Sequence, residues 1–210
     1  MPRKILIADD HSAIRVGVRQ ICSVEFPNMQ FGEATNYAEV FQKLKENDWD
    51  ILILDVDIPG RNGLEILKQI KAEKIKIPVL MFSFHGEEQV AIRALKTGAS
   101  GYLSKDAADR ELVKAINNII DGRKYVSQSI ADKLVSMLDE GTEKEPHDLL
   151  SDREYQTLLL IASGKAVSDI AAELFLSKPT ISTYRARILE KMKLKNNAEI
   201  TNYVISRKLI

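Results

Sequence analysis

Cysteine is almost missing from this chain of 210 residues: Cys22 is the single one, which excludes an internal disulfide and a cysteine-based zinc site. Histidine is scarce as well. His11, His85 and His147 are scattered without metal-ligand spacing, so structural zinc is not expected. No apolar run approaches the roughly 18 residues that a spanning helix needs, which excludes insertion into a membrane. The opening Met1-Pro2-Arg3-Lys4-Ile5-Leu6-Ile7-Ala8 is too short in apolar residues for a secretory leader and meets two aspartates at once, so a cytoplasmic location is expected. Net charge is also lacking: 30 basic residues balance 30 acidic ones, and that total argues neither for nor against a nucleic-acid partner.

What is present points to two domains, since single domains usually run to roughly 100–150 residues. With 45% apolar and 29% charged residues the chain reads as globular. Its charge is unevenly spread. Residues 1–121 hold 16 basic and 18 acidic side chains, whereas residues 148–210 hold 10 and 7. Lys178, Arg185, Arg187, Lys191, Lys193 and Lys195 form a local basic patch interrupted by one acid, Glu190.

Short apolar runs alternate with helical patterns over the first 120 residues, the signature of βα units building a parallel sheet. Strands are expected at Lys4–Ala8, Gln30–Ala34, Ile51–Leu54, Pro78–Phe82 and Ser100–Leu103, three of them nearly continuous in Ile, Leu and Val. Helices are expected at Ser12–Val24, Tyr37–Glu46, Gly63–Lys74, Glu87–Thr97 and Ala107–Ile120. Ile14, Val18, Ile21 and Cys22 share one face of the first helix, which makes Cys22 a small core residue rather than a reactive thiol. Residues 122–147 are polar and rich in turns around a helix over Ser129–Leu138, and read as a linker. Ser151-Asp152-Arg153-Glu154 then has the form of a capping box and opens an all-helical domain over residues 148–210.

In an open parallel sheet, ligands bind beyond the carboxyl ends of the strands. Four strands deliver a polar group to that edge: Asp9-Asp10 after the first, Asp55 after the third, Ser83 after the fourth and Lys105 after the fifth. Three converging carboxylates repel one another unless a cation neutralises them, and hard oxygen ligands suit Mg²⁺. An aspartate can accept a phosphoryl group as an acyl phosphate, whose oxygens then require a metal, an ammonium and a hydroxyl donor. Asp55, Lys105 and Ser83 supply that set.

Ile5-Leu6-Ile7-Ala8-Asp9-Asp10-His11, Leu54-Asp55-Val56-Asp57-Ile58-Pro59-Gly60 and Gly98-Ala99-Ser100-Gly101-Tyr102-Leu103-Ser104-Lys105-Asp106 resemble, in order and spacing, the receiver domains of two-component response regulators. The resemblance covers residues 4–120. It implies a (βα)₅ doubly wound domain over residues 1–121, with Asp55 as phosphoacceptor and Asp9 and Asp10 as the acidic metal pair. It further implies Lys105 as the phosphate-pairing lysine, Ser83 as switch hydroxyl, Tyr102 as switch aromatic, and the backbone carbonyl of Asp57 on the metal. Asp57 departs from the pattern, since many receivers carry an uncharged residue there. Asp55-Val56-Asp57 is also similar to the D-x-D motif of haloacid dehalogenase-type phosphohydrolases, but there the motif lies on an early strand and continues differently from Ile58-Pro59. Such an enzyme hydrolyses a phosphomonoester repeatedly, whereas a receiver only labels and unlabels itself. His11 and His85 lie near the site and are assigned no catalytic role.

Helices are expected in the second domain at Ser151–Ala162, Val167–Leu174, Lys178–Met192 and Ala198–Ser206. Ser177 and Pro179 mark the start of the third, and the short loop before it has the length of a helix-turn-helix turn. On that helix Ile181, Tyr184, Ile188 and Met192 share an inward face. The opposite face presents Ser182, Thr183, Ala186 and Arg187, with Lys178 and Thr180 at its start and Arg185 and Lys191 on its flanks, a composition suited to the major groove and its phosphates. In the last helix Ile200, Tyr203 and Val204 are candidates equally for a self-pairing surface and for the core of the small domain. Leu150 to Glu154, Ile170 to Leu174 and Ser177 to Ile181 resemble the LuxR-type helix-turn-helix over residues 149–207. In tandem with a receiver, this resembles the NarL/FixJ class. The resemblance implies a sensor histidine kinase as phosphoryl donor, promoter DNA as target and no catalytic turnover, and because a domain reading a few base pairs gains affinity by pairing with a second copy, a homodimer is expected when phosphorylated. The family commonly has Lys at Ser182, His at Tyr184 and Asn at Val167, so an output through protein partners is the alternative to DNA binding.

Overall fold

Three strands whose side chains are shielded on both faces need no alternation of polar and apolar residues, and Ile5-Leu6-Ile7, Ile51-Leu52-Ile53-Leu54 and Val79-Leu80-Met81-Phe82 accordingly form a fully buried sheet centre. The computed structural model describes residues 3–84, 88–139, 145–207 and 209–210, which fall into two compact units, Met1–Ser136 and Met137–Ile210. In the first unit five parallel strands, β1 (Lys4–Ala8), β2 (Gln30–Ala34), β3 (Ile51–Asp55), β4 (Val79–Ser83) and β5 (Gly101–Ser104), lie in the order β2-β1-β3-β4-β5. The helices are α1 (Ser12–Glu25), α2 (Tyr37–Glu46), α3 (Gly63–Ala72), α4 (Glu88–Thr97) and α5 (Ala108–Ile120). α1 and α5 pack together over the sheet face that carries Ile5, Ile7, Ile51, Ile53, Leu80 and Phe82. Alternation along the strands turns Leu6, Leu52, Leu54 and Met81 to the other face, where they are equally buried. This is the expected doubly wound α/β architecture.

Differences from the sequence-based bounds have local causes. β3 extends to Asp55 because Asp55 pairs with Phe82, and β4 starts at Val79 because Pro78, lacking an N–H, contributes only its carbonyl, to Leu52 N at 2.9 Å. α3 stops at Ala72, and Lys74 turns into the left-handed region at φ 56°. Lys105–Ala107 forms a 3₁₀ turn ahead of α5. Cys22 is fully buried among Ile5, Val18 and Ile116, and burial pushes its thiol up to about 12.

The stretch read as a linker begins as part of the sheet unit. Tyr102 N donates to Tyr125 O at 3.0 Å and Tyr125 N to Ser100 O at 3.1 Å, so residue 125 adds a bridge to the outer edge of β5. The Tyr125 ring joins the core, and its hydroxyl donates to Glu111 Oε2 at 2.5 Å. α6 (Gln128–Asp139) follows, and residues 140–144 lie outside the described residues.

The second unit contains α7 (Asp152–Ala162), α8 (Val167–Glu173), α9 (Lys178–Met192) and α10 (Asn197–Ser206). The capping box at its start is present: Ser151 Oγ accepts from Glu154 N, and Ser151 N donates to Glu154 Oε2 at 2.8 Å. Ser177 and Asn196 cap α9 and α10 in the same manner. α7 packs on α9 and α10, and α8 packs on α9, around Leu158, Ile170, Ile181, Ile188, Ile200 and Val204. Ile200 and Val204 are therefore spent on this core, which decides between the two roles the sequence left open for them. The exposed apolar side chain of α10 is Ile205.

Candidate functional site

β1 lies between β2 and β3, so the chain leaves it to one side and returns on the other, and the crevice at this reversal opens above the ends of β1 and β3. Asp9 and Asp10 follow β1 there, and Asp55 ends β3 beside them. Lys105, the first residue of the 3₁₀ turn after β5, reaches across with Nζ 2.6 Å from Asp9 Oδ2 and 2.8 Å from Asp55 Oδ2. All three side chains are buried. Ser83 ends β4 opposite Ser104 and is buried, Tyr102 is buried within β5, and Asp57 is half-buried on the loop after β3. The strand ends thus bring together Asp9, Asp10, Asp55 and Lys105. His85, which the sequence put near the site, lies outside the described residues.

The electrostatics show an excess of negative charge. Burial, aided by the Asp9 and Asp57 carboxylates, pushes the Asp55 carboxyl up to about 7 against the downward pull of Lys105. Burial alone works to lower the Lys105 pKa, yet the Asp55 and Asp9 carboxylates outweigh it and hold the ammonium above its usual value. Ligand atoms of Asp9, Asp10, His11 and Asp55 all lie within 4.8 Å of one another. This oxygen-rich donor set, with one ammonium for several carboxylates, fits a hard divalent cation.

α9 presents Lys178, Ser182, Thr183, Ala186, Arg187 and Lys191 to solvent, with Thr180 and Arg185 half-exposed, while Ile181, Ile188 and Met192 face the core. Tyr184, expected inward with them, is only half-buried. Two of the cations are already engaged. Lys191 Nζ donates to Glu154 Oε2 at 2.6 Å, and Arg185 Nε donates to Asn197 Oδ1 at 2.6 Å. Burial works to raise Glu154, but Lys191 and the Ser151 N–H hold its carboxyl below the usual range. Among the described residues Arg187 has no ion pair.

Residues 5–117 match the family model for the response regulator receiver domain, and residues 148–204 match that for bacterial regulatory proteins of the LuxR family. The response regulator UvrY of Escherichia coli is 31% identical over 202 residues, 96% of this chain and 93% of the relative. The oxygen regulatory protein NreC of Staphylococcus epidermidis is 33% identical over 215 residues, 99% of each chain. This chain is a response regulator of the NarL/FixJ class. Among solved structures, the response regulator RcsB in complex with DNA superposes with a TM-score of 0.60 at 25% identity over 98% of this chain and 99% of that one. The membership sets aside the phosphohydrolase alternative: this response regulator pairs a receiver with a LuxR-type DNA-binding domain and is not a turnover enzyme. No described helix is long and apolar enough to cross a membrane.

Three features of this response regulator's site escaped the sequence, and a fourth, His11, was expected near the site without its contact. Arg15 on α1 donates from Nη1 to the carbonyls of Asp9 at 2.9 Å and Asp10 at 3.1 Å while its Nε is held by Glu33 Oε2 at 2.8 Å, which pins the acidic loop to β2. Gly63 opens α3 against the end of β3, where a Cβ would lie 2.1 Å from Asp55 O. Phe84 stands with its ring centroid 4.9 Å from Lys105 Nζ. His11 places Nδ1 2.8 Å from Asp10 Oδ1. A helix-facing arginine seven positions after a strand was the one readable cue; the others depend on which elements the fold sets side by side.

Proposed function

We propose that Asp55 accepts a phosphoryl group from a sensor histidine kinase and that this modification controls binding of promoter DNA by the helical domain. The observation that carries the reading is the buried trio of Asp9, Asp55 and Lys105, joined by contacts of 2.6 and 2.8 Å at the switch point of the sheet. Asp9, Asp10, Asp55 and the Asp57 carbonyl would hold Mg²⁺, which when bound offsets negative charge on the transferring group. An Asp55 carboxylate oxygen forms the new P–O bond as the donor's P–N bond breaks, and the electron pair of that bond leaves on the donor nitrogen. Lys105, held between two carboxylates before the reaction, is placed to pair with a phosphoryl oxygen, and the Ser83 hydroxyl at the end of β4 is placed to follow it. Tyr102 on the neighbouring strand is the aromatic that senses the change.

The functional division follows the chemistry: residues 1–121 receive the signal, 122–147 connect, and 148–210 read DNA. Lys178, Thr180, Ser182, Thr183, Ala186 and Arg187 form the reading face, with Arg185 and Lys191 on its flanks. RcsB is known in complex with DNA, which supports the assignment by analogy. Phosphorylation favours a homodimer, because a domain reading a few base pairs gains affinity by pairing with a second copy. The protein acts in the cytoplasm, where kinase and promoter meet. Incubation with acetyl phosphate and Mg²⁺ tests the proposal: intact mass should rise by one phosphoryl group that maps to Asp55, and retained labelling in Asp55→Asn defeats it. Ser182 and Tyr184 favour a second reading, output through protein partners, which failure to bind DNA in every phosphorylation state would select.

A further inference from the structure

We infer that His11 is a further protein ligand of the cation site, added to the carboxylates of Asp9, Asp10 and Asp55, and that it turns the site toward borderline first-row dications such as Ni²⁺ and Co²⁺. The inference rests on the reading of the acidic cluster as a cation site. His11 precedes α1 in an extended conformation, φ −79° and ψ 111°, and its side chain makes no capping bond to the helix. The imidazole is therefore not spent on the fold. Although the side chain is 62% exposed, Nδ1 turns back to the acidic pair, 2.8 Å from Asp10 Oδ1 and 3.3 Å from Asp9 Oδ1. Asp9 is held so that this oxygen faces His11: its other oxygen, Oδ2, is 2.6 Å from Lys105, while Oδ1 accepts from His11 N at 2.9 Å.

These two spacings suit donor atoms on neighbouring positions of a coordination octahedron. Bonds of about 2.1 Å at right angles put neighbouring donor atoms about 3 Å apart. The two nitrogen–oxygen separations, 2.8 and 3.3 Å, bracket that value. Mg²⁺ is hard and prefers oxygen, so a nitrogen in this position adds little to its binding. Ni²⁺ and Co²⁺ accept imidazole readily, so the same nitrogen contributes strongly. An alternative role for His11, as an imidazolium that merely neutralises the aspartates, has the opposite signature: removing it would tighten every dication equally.

Isothermal titration of the untagged full-length protein with Ni²⁺ and, separately, Mg²⁺ at pH 7.5 tests the assignment in wild type, His11→Ala and Asp10→Asn. Loss of a ligating imidazole should weaken Ni²⁺ by at least 10-fold, the size of effect seen when even a supporting group of a metal ligand is removed. Mg²⁺ should change by less than about twofold in the same variant. Equal effects on the two ions, no effect, or tighter binding in His11→Ala would each overturn the inference. Asp10→Asn separates the two levels of the argument. It should weaken both ions, and unchanged Mg²⁺ binding in that variant refutes the cation site itself. Circular dichroism of His11→Ala should match wild type, since the exposed imidazole supports no packing.

Discussion

Asp55→Asn should make the receiver unit more stable, because the side chain it replaces is a carboxylate forced out of water beside other carboxylates. The folded-state value of about 7 lies well above the ordinary 3.8. Below about pH 4 the group is protonated in both states and contributes nothing. Between about 4 and 7 the unfolded chain ionises while the folded one keeps its proton, so stability falls as pH rises, and above about 7 the full penalty is present. A difference of roughly three units at 1.36 kcal/mol each sets a ceiling of about 4 kcal/mol. Asparagine approximates the protonated acid and leaves Lys105 its second partner, Asp9, at 2.6 Å. A gain of about 2–4 kcal/mol is expected at pH 8 without divalent cations, equivalent to a rise of about 1–2 M in the urea midpoint. Trp49, the single tryptophan, lies in the receiver unit and reports its unfolding by fluorescence. The gain should vanish near pH 4 and shrink when Mg²⁺ is added. A destabilised Asp55→Asn at pH 8, or a gain independent of pH, refutes the reasoning.

Arg15→Ala removes two hydrogen bonds to the acidic loop and leaves Glu33 only its longer contact with Arg19 at 3.4 Å, so it should cost about 1–3 kcal/mol in the same unfolding assay and weaken Mg²⁺ binding, with Arg15→Lys restoring stability in part but not the forked contact. Gly63→Ala drives a methyl into the Asp55 carbonyl and should destabilise by about 1–3 kcal/mol while slowing phosphoryl labelling, measured by intact-mass time courses. Arg187→Ala should lower the salt dependence of DNA binding by about one unit of slope. Lys191→Ala should leave that slope nearly unchanged, because its ammonium is already paired with Glu154, and equal slopes for the two variants would contradict the assignment.

The parts of the molecule that a local pattern dictates were legible in the sequence. β1, β3 and β4 are runs of Ile, Leu, Val and Met that only a sheet covered on both faces accommodates, and Ser151 with Glu154 announced the start of α7 through two reciprocal hydrogen bonds. The acidic cluster was legible for the same reason, since each of its members sits at or just beyond the end of a strand. What stayed hidden arises between elements distant in the chain. Lys191 meets Glu154 across 37 positions, Arg15 meets Glu33 across 18, and neither pairing has a local signature. Residues 122–147 read as a linker, yet Tyr125 docks on β5 because the strand edge offers unpaired backbone groups and the core offers room for its ring. Ile200 and Val204 are apolar positions that either the core or a self-pairing surface could use, and only the packing of α7 on α10 assigns both to the core.

The central claim, that phosphorylation of Asp55 governs DNA binding, is tested most directly by one paired titration. Full-length protein, with and without acetyl phosphate and Mg²⁺, is titrated against promoter fragments selected by genomic footprinting while light scattering reports its mass. The account predicts tighter DNA binding together with a shift from monomer to dimer on phosphorylation, and neither change in Asp55→Asn. Identical mass and identical DNA affinity in the two states of the wild-type protein would contradict it.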